Sequence, residues 1–212
     1  MDLITAFIDI VLHLDTHLLA LTHEYGVWVY AILFLIIYCE TGLVVTPFLP
    51  GDSLLFVAGA LCGMGALQLE LLVPFLVLAA FGGDNTNYWI GRLIGTRLLN
   101  RSNGLIKPEH LDKTHAFYEK HGGKTILFAR FLPIIRTFAP FVAGIGLMRY
   151  RLFLMFSALG SVAWIGSLTV AGYLFGNIPA VKNNLTLIIV GIIVISLMPA
   201  FRELIRHRKR TL

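Results

Sequence analysis

Two acidic and two basic side chains lie inside or directly beside long apolar stretches of the sequence: Glu40, Asp52, Arg130 and Arg136. An ionised group at the centre of a bilayer costs about 2.5 to 3.5 kcal/mol, whereas opposite charges across a shared cavity offset part of each other's desolvation. A guanidinium fork also matches a phosphate group, and a buried carboxyl group can take up a proton. These residues predict either a structural ion-pair network or an anion site with proton-exchanging acids.

Helix-breaking residues surround these charges. Proline interrupts the hydrogen-bond ladder of a helix, and open backbone at membrane depth persists only against protein or a water-filled cavity. The half-helices that result expose N–H groups and partial positive charge at their N-termini, which favour an anion. The predicted hairpin breaks are Pro47, Pro50 and Gly51 in TPFLPGDSLLFVAG, and Pro133 and Pro140 in FLPIIRTFAPFVAG.

The elements that must position these residues are membrane helices. Of the 212 residues, 57% are hydrophobic and 14% are charged, and the mean hydropathy is +0.80, which would leave a soluble domain too little polar surface. The apolar stretches are 26–39, 42–67, 71–91, 125–148, 152–176 and 185–201. Polar residues interrupt the second, third and fourth of them. The sequence therefore predicts an all-α polytopic membrane protein.

The basic residues are unevenly distributed. Seven lie within 92–124 and five within 202–210, and the positive-inside rule places both regions in the cytoplasm. Because 152–176 and 185–201 are predicted to be two full crossings, 125–148 must enter and leave the membrane on the cytoplasmic side. We therefore predict that 125–148 is a re-entrant hairpin.

A short motif is repeated in the sequence. FVAG occurs at 56–59 and at 141–144, and the same offset of 85 residues relates Gly91 of NYWIG to Gly176 of GYLFG. Such self-similarity indicates duplication. Each repeat is then a broken hairpin followed by one crossing helix, which inverts the second repeat relative to the first. Inverted repeats with discontinuous helices are typical of transporters, whose substrate site lies at the repeat interface.

We predict one domain over 1–212 with five parts. They are N-terminal interfacial and transmembrane helices (1–41), the first hairpin and helix (42–91), a basic cytoplasmic amphipathic linker (92–124), the second hairpin and helix (125–177), and the last transmembrane helix with a basic tail (185–212). Polar residues on one face favour an interfacial position for 3–22, and a spanning position is the alternative.

A second polar group follows the first hairpin. Asp84 and Asn87 come just after Gly82 and Gly83. An acid beside an interrupted helix predicts side chains that line the site, and a polar helix end near the interface is the alternative.

No metal site and no cofactor is predicted. Cys39 and Cys62 lie in apolar surroundings, as buried cysteines do. His13 and His17 share a helical face, but this spacing is also typical of the wet face of an interfacial helix. No nucleophile triad, P-loop or dinucleotide fold is evident in the sequence, so neither an enzyme nor a nucleic-acid-binding protein is expected.

Three motifs together resemble one family. They are ETGLVVTPFLPGD at 40–52, NYWIGR at 87–92 and ARFLPIIRTFAPFVAG at 129–144, and they are similar to those of the DedA family of bacterial inner-membrane proteins. That family shares its SNARE-associated or VTT domain with eukaryotic autophagy-associated lipid scramblases. Some members are assigned to the return of undecaprenyl phosphate across the cytoplasmic membrane, and others to envelope maintenance that depends on the proton-motive force.

The resemblance implies roles for the four charged residues. The family's functional acids fall on Glu40 and Asp52, and its functional arginines on Arg130 and Arg136. We therefore expect a flippase for undecaprenyl phosphate or a related lipid phosphate. The arginines would hold the headgroup, and the acids would balance them or carry a coupled proton. The expected location is the bacterial inner membrane, with several crossings and a cytoplasmic C-terminus.

Two alternative functions stay open. A proton-coupled exporter or antiporter of a small solute or ion would use the same acids, and a non-transporting scaffold would use the charges as ion pairs. A phosphate ligand explains two buried arginines better than a cation does, and a scaffold would not need broken helices at the charges. The sequence leaves open the transported species, the direction and stoichiometry of transport, and whether a homo-oligomer forms.

Overall fold

The computed structural model describes residues 14–43, 51–100 and 123–176, together with residues 178 and 191. Between residues 14 and 176, the described residues form seven helices and no strand. The helices are α1 (Leu14–Tyr25), α2 (Trp28–Gly42), α3 (Gly51–Gly63), α4 (Leu69–Asn100), α5 (123–129), α6 (Pro133–Ile145) and α7 (Tyr150–Phe175). The predicted all-α class is confirmed over this part of the chain.

Two of these helices are long and apolar enough to cross a membrane. They are α7, with 26 residues, and the segment Leu69–Gly95 of α4, with 27 residues. At a rise of about 1.5 Å per residue, each extends about 40 Å, which exceeds a hydrocarbon core of about 30 Å. The apolar stretches 71–91 and 152–176 therefore both lie in candidate spans.

Three apolar helices are shorter. α2 has 15 residues, and α3 and α6 have 13 each, so each extends only about 20 Å. α2 ends at Gly42 and α3 begins at Gly51, while α5 and α6 are separated at 130–132. The second stretch is therefore interrupted at 130–132, whereas the arrangement of both stretches as re-entrant hairpins stays a prediction.

The two prolines of the second stretch behave differently. Pro133 is at the start of α6, where its missing N–H costs no helical hydrogen bond. Pro140 lies inside α6, which continues to Ile145, so the predicted break at Pro140 is wrong. A proline removes one bond of the ladder, and the burial of Ala139 and Ala143 in the core of this region stabilises the helix on both sides of it.

The predicted interruption at Gly82 and Gly83 is also wrong, because α4 is continuous through both residues. Gly83 allows close packing instead. A Cβ at this position would collide with the hydroxyl of Thr41 and with the backbone of Tyr38, both on α2. Small residues let two helix backbones approach closely in membrane proteins, and this contact holds the end of α2 against the middle of α4.

The described helices form two compact units. The first contains the described residues within 1–34, 50–75 and 165–212, and the second contains those within 35–49 and 76–164. The first unit thus combines α1 and α3 with the end of α7. The second combines most of α4 with α6 and the start of α7.

In the second unit, α6 packs closely against α4. A Cβ on Gly144 of α6 would collide with the carbonyl oxygen of Tyr88, and a Cβ on Gly91 of α4 would collide with that of Phe141. Tyr88 is fully buried and stacks on Phe153 with ring centroids 4.5 Å apart. The glycines therefore bring the two backbones together next to an aromatic core.

The first unit contains the same kind of contact between α3 and the end of α7. A Cβ on Gly59 would collide with the carbonyl oxygen of Thr169, and a Cβ on Gly172 would collide with that of Phe56. Gly59 and Gly144 are both the last residue of an FVAG motif. The repeated sequence therefore makes a repeated packing contact.

The glycine contacts of the two units do not follow the 85-residue offset of the sequence repeat. Gly91 and Gly172 each meet the phenylalanine of an FVAG motif, and Gly95 and Gly176 each lie against the residue that follows it. Gly172 rather than Gly176 is thus the packing counterpart of Gly91. The predicted correspondence of Gly91 with Gly176 is wrong by one helical turn.

Gly144→Ala should destabilise the second unit, because its methyl group would meet the backbone of α4 rather than a side chain that can move. Overpacking of this kind costs about 1 to 3 kcal/mol, so we expect a lower melting temperature for the purified protein in detergent. Gly166→Ala is the matched control, since nothing lies within 4 Å of a Cβ there. Equal melting temperatures for the two variants would contradict the close contact.

Several predicted features lie outside the described residues. They are residues 3–13 of the N-terminal segment, Pro47 and Pro50, most of the basic linker 92–124, the last transmembrane helix and the basic tail. Gly51, the third predicted break residue of the first hairpin, is the first residue of α3.

Candidate functional site

Four ionisable side chains are buried in the second unit. Glu40, Asp84, Arg130 and Arg136 have exposed fractions of 1%, 0%, 3% and 5%. They come from four places in the chain: the end of α2, the middle of α4, the break between α5 and α6, and the first turn of α6. Residues of these types are almost never fully buried unless they are paired, so their partners determine what the site can do.

Glu40 and Arg136 form one ion pair. Arg136 Nη2 donates a hydrogen bond to Glu40 Oε1 over 2.5 Å. The pair joins α2 to α6. The helix α2 ends where the stretch 42–67 begins, and α6 lies within the stretch 125–148. The structure thus brings together one acid and one arginine of the set that the sequence singled out.

Arg130 pairs with an acid that was not expected to be its partner. Its Nη1 donates to Asp84 Oδ2, and the hydroxyl of Ser157 donates to the same oxygen over 2.6 Å. Asp84 was predicted only as a residue that lines the site, but in the structure it is the counter-ion of Arg130. Because α4 is continuous through Asp84, the regular helix determines the direction of this side chain. An interruption of the helix would remove that constraint.

The indole ring of Trp164 lies beside both guanidinium groups. Its centroid is 4.2 Å from Cζ of Arg136 and 5.4 Å from Cζ of Arg130. A cation near an aromatic face is stabilised by about 2 kcal/mol when both are desolvated. Trp164 therefore provides one apolar surface that holds the two like charges near each other.

Asn87 connects the two segments that carry the first ion pair. Its Nδ2 donates to the carbonyl oxygen of Thr41 over 3.0 Å and to that of Thr137 over 2.7 Å. Thr41 follows Glu40, and Thr137 follows Arg136. Because both partners are acceptors, they define which end of the amide points toward them. Asn87 is therefore a positioning residue for the ion pair.

Asn87→Ala should lower the melting temperature of the purified protein, because it removes two buried hydrogen bonds that join α4 to α2 and α6, each worth about 0.5 to 1.5 kcal/mol. Asn87→Asp should be worse, since an ionised carboxylate cannot donate to either carbonyl. The matched control is Asn85→Ala, which removes bonds to Tyr150 and Phe81 but none to α2 or α6. If Asn85→Ala lowered the melting temperature as much as Asn87→Ala, the positioning role would be wrong.

Part of Arg130 is buried without a hydrogen-bond partner among the described residues. The atoms concerned are Nε and Nη2, which lie on one edge of the guanidinium plane. This edge can form two parallel hydrogen bonds with a carboxylate or a phosphate. Buried polar atoms without a partner are rare in native proteins and often mark an unseen ion or water.

The remaining predicted residue is in the first unit. Asp52 lies in the first turn of α3 and is half-buried. Its expected meeting with an arginine stays a prediction. In the part of the chain that the structure describes, no group of three or more His, Cys, Asp or Glu residues could hold a metal ion.

Sequence reasoning missed Trp164 and Ser157 on α7. Together with Ser161, they are buried and lie four and three residues apart, which places them on one helical face. Two serines and a tryptophan at this spacing within an apolar span could have predicted a polar face on this helix. The shared face indicates that this side of α7 contacts polar groups rather than lipid.

A family model and several relatives match this chain. The VTT domain model matches residues 49–174. Protein DedA of Escherichia coli (strain K12) is 58% identical over 212 residues, covering 99% of this chain and 97% of that protein. An uncharacterized membrane protein of Mycobacterium leprae (strain TN) is 47% identical over 166 residues, 78% of this chain and 74% of that protein.

A more distant relative and the search of solved structures complete the comparison. Inner membrane protein YqjA of Escherichia coli (strain K12) is 32% identical over 180 residues, which cover 84% of this chain and 81% of that protein. No solved structure matches. The VTT match includes Asp84, Arg130, Arg136 and Trp164, and the similarity to Protein DedA extends beyond it over nearly the full length. The chain with this buried charge cluster is therefore a membrane protein of the DedA family, built around a VTT domain.

Proposed function

We propose that the protein is a flippase that returns undecaprenyl phosphate, or a related lipid phosphate, across the bacterial inner membrane. One observation carries the proposal: the Nε and Nη2 edge of Arg130 is buried and has no partner among the described residues. Two parallel donors on a permanently charged group match the oxygens of a phosphate. Arg130 would bind the headgroup through this edge while Asp84 accepts from its Nη1.

The second arginine supports an anionic rather than a cationic substrate. Arg136 and Arg130 both lie beside Trp164, so two positive charges are near each other in the protein interior. A phosphate can accept charge-assisted hydrogen bonds from these guanidinium groups, whereas a bound cation would be repelled by both of them. In this proposal Arg136 is the second group that holds the headgroup.

We also infer the membrane arrangement that the sequence predicts. Two re-entrant hairpins would each precede one crossing helix, in two inverted repeats, with the C-terminus in the cytoplasm. The short α3 and α6 and the repeated glycine contacts in the two units support this arrangement. Inverted repeats place a substrate site near the bilayer midplane, where a lipid headgroup must pass.

The acids would balance the arginines while no substrate is bound. Glu40 does so for Arg136, and Asp52 is proposed to be a further counter-ion or a group that carries a coupled proton. Protons are therefore a second proposed partner. This role for Asp52 rests on its position beside the helix start at Gly51 and on the family resemblance.

The other two functions have less support. Two buried donors of Arg130 have no partner among the described residues, and such donors cost stability. A scaffold that uses the charges only as structural ion pairs would not need them. A proton-coupled exporter or antiporter of a small solute would fit the acids, but a cationic solute does not fit two guanidinium groups beside one indole ring. An anionic solute remains a competitor to the lipid, and the test below includes it as an outcome.

Reconstituted vesicles test the proposal. Purified protein is placed in vesicles that contain a polyprenyl phosphate in both leaflets, and a phosphatase is added outside. We expect parent vesicles to lose nearly all of the lipid phosphate, whereas protein-free vesicles and vesicles with Arg136→Ala should lose only the outer-leaflet share. Protection of the inner leaflet in parent vesicles, or equal loss with Arg136→Ala, would overturn the lipid function. Vesicles that instead accumulate a small organic phosphate would favour the exporter.

A further inference from the structure

The buried cluster has no net charge when all four of its groups are ionised. In the second unit, Glu40 and Asp84 contribute two negative charges, and Arg130 and Arg136 contribute two positive charges. A phosphate would add at least one negative charge to this group. Because unbalanced charge is costly in a low-dielectric interior, entry of the anion should be accompanied by a positive charge. A proton added to a carboxylate is the simplest one.

The two carboxylates pair with different arginines, and only Asp84 pairs with Arg130, whose Nε and Nη2 edge is proposed to bind the phosphate. Glu40 is held by Arg136, which itself packs on Trp164. Asp84 uses one oxygen, Oδ2, for both Arg130 and Ser157. Its other oxygen, Oδ1, is buried and has no hydrogen-bond partner among the described residues. A proton can therefore bind to Asp84 Oδ1 without breaking an existing hydrogen bond.

The charged and polar groups around Asp84 come from each element of the cluster. Arg130 approaches from the break before α6, Arg136 from α6 itself and Ser157 from α7. Glu40, from α2, acts on the same site through its field at Arg130. An anion that binds Arg130 competes with Asp84 for the same guanidinium group, so the arrival of the anion weakens the main interaction that keeps Asp84 ionised.

We propose that Asp84 is the proton-exchanging acid of the site: when a phosphate group binds the Nε and Nη2 edge of Arg130, Asp84 Oδ1 takes up a proton from water, and it returns the proton when the phosphate leaves. No covalent bond to the phosphate is made or broken. Ser157 can donate to Oδ2 in both states. This inference rests on the proposed function, but it assigns the proton to Asp84 instead of to Glu40 or Asp52.

Binding calorimetry can count the proton. The full-length protein in detergent is titrated with farnesyl phosphate, and separately with inorganic phosphate, in buffers that have different ionisation enthalpies. The dependence of the measured heat on the buffer gives the number of protons taken up per ligand. We expect about one proton per phosphate group for the parent at neutral pH.

The Asp84→Asn variant makes the sharper prediction. A neutral amide cannot take up the proton, and it no longer competes as an anion for Arg130. We therefore expect no proton uptake, and an affinity for farnesyl phosphate about tenfold higher than that of the parent, with little change between pH 6 and pH 8. Glu70→Gln is the matched control, because it neutralises an exposed acid of the same helix and should still show uptake.

Ser157→Ala provides a second variant that keeps the carboxylate. Because the hydrogen bond from Ser157 is stronger to the ionised carboxylate than to the protonated one, its removal should move the pH range of proton uptake upward. An unchanged pH range would contradict the assignment, and so would uptake that persists in Asp84→Asn.

The results also separate this inference from the proposed function. Binding to the parent without proton uptake would overturn the role of Asp84 and leave the phosphate site in place. Failure of both phosphates to bind the parent would overturn the phosphate site and the role of Asp84 together. Uptake with both ligands supports the inference for the phosphate group itself, and uptake with farnesyl phosphate alone supports it for a lipid.

Discussion

Arg136→Met is expected to abolish lipid-phosphate transport and to lower the free energy of unfolding by about 3 to 5 kcal/mol, because it removes the guanidinium partner of the buried Glu40. Glu40→Leu should destabilise the protein for the reciprocal reason. The double variant should recover most of the stability, since apolar replacement of a whole buried ion pair is often neutral. It should not recover transport, because the group that is proposed to hold the headgroup is still missing.

Two measurements on the same variants check this prediction. Thermal unfolding in detergent reports stability, and the phosphatase assay in vesicles reports transport. Arg151→Met is the matched control, because it makes the same substitution at an exposed arginine of α7 and should leave both quantities near the parent values. If the double variant regained transport together with stability, the pair of Glu40 and Arg136 would be structural only.

Arg130→Lys should fold like the parent and lose transport by about ten- to a hundredfold. The lysine ammonium can still pair with Asp84, so the buried charge keeps its partner. It cannot present two parallel donors, because its charge is a single point rather than a planar fork. A hydrogen bond to a charged group is worth about 1.5 to 3 kcal/mol, and about 1.4 kcal/mol corresponds to a factor of ten.

The control for this variant is Arg151→Lys, which tests the same substitution at an exposed position. Initial rates of lipid-phosphate hydrolysis in parent and variant vesicles give the comparison. Near-parent transport by Arg130→Lys, with normal folding, would mean that Arg130 contributes only its charge. The proposed contact of its Nε and Nη2 edge with the phosphate would then be wrong.

The pairing of charges could be predicted from the sequence only in part. The acids could be expected to meet the arginines, because neither charge is tolerable alone in an apolar interior, but the pair of Glu40 and Arg136 could not be singled out. The partner of Arg130 could not be identified, because it depends on the direction in which α4 points its side chains. That direction is defined by the packing of α4 against its neighbours and by no local pattern.

Glycine and proline were ambiguous for a physical reason. Gly83 was expected to interrupt α4, but its lack of a side chain lets α2 approach α4 instead, and a sequence does not distinguish these uses. Pro140 lies within α6 because packing on both sides offsets one missing hydrogen bond. Only Pro133, at the first helical position, has the role that its residue type most often indicates.

The repeat could be detected from FVAG, but its register could not be determined. Gly172 and Gly176 lie about one helical turn apart, so both are plausible counterparts of Gly91 in a sequence comparison. The backbone contacts distinguish them, because Gly172 meets the FVAG phenylalanine as Gly91 does. Contact geometry thus supplied what residue identity alone could not.

The most direct test of phosphate recognition by the buried arginines compares two lipids in the same vesicles. Parent protein is reconstituted with a polyprenyl phosphate and with the uncharged polyprenol of equal chain length, and the movement of each lipid between leaflets is measured against protein-free vesicles. We predict that the protein accelerates movement of the phosphate and leaves the alcohol at the protein-free rate. Equal acceleration of both lipids would contradict a site that binds the phosphate group through Arg130 and Arg136.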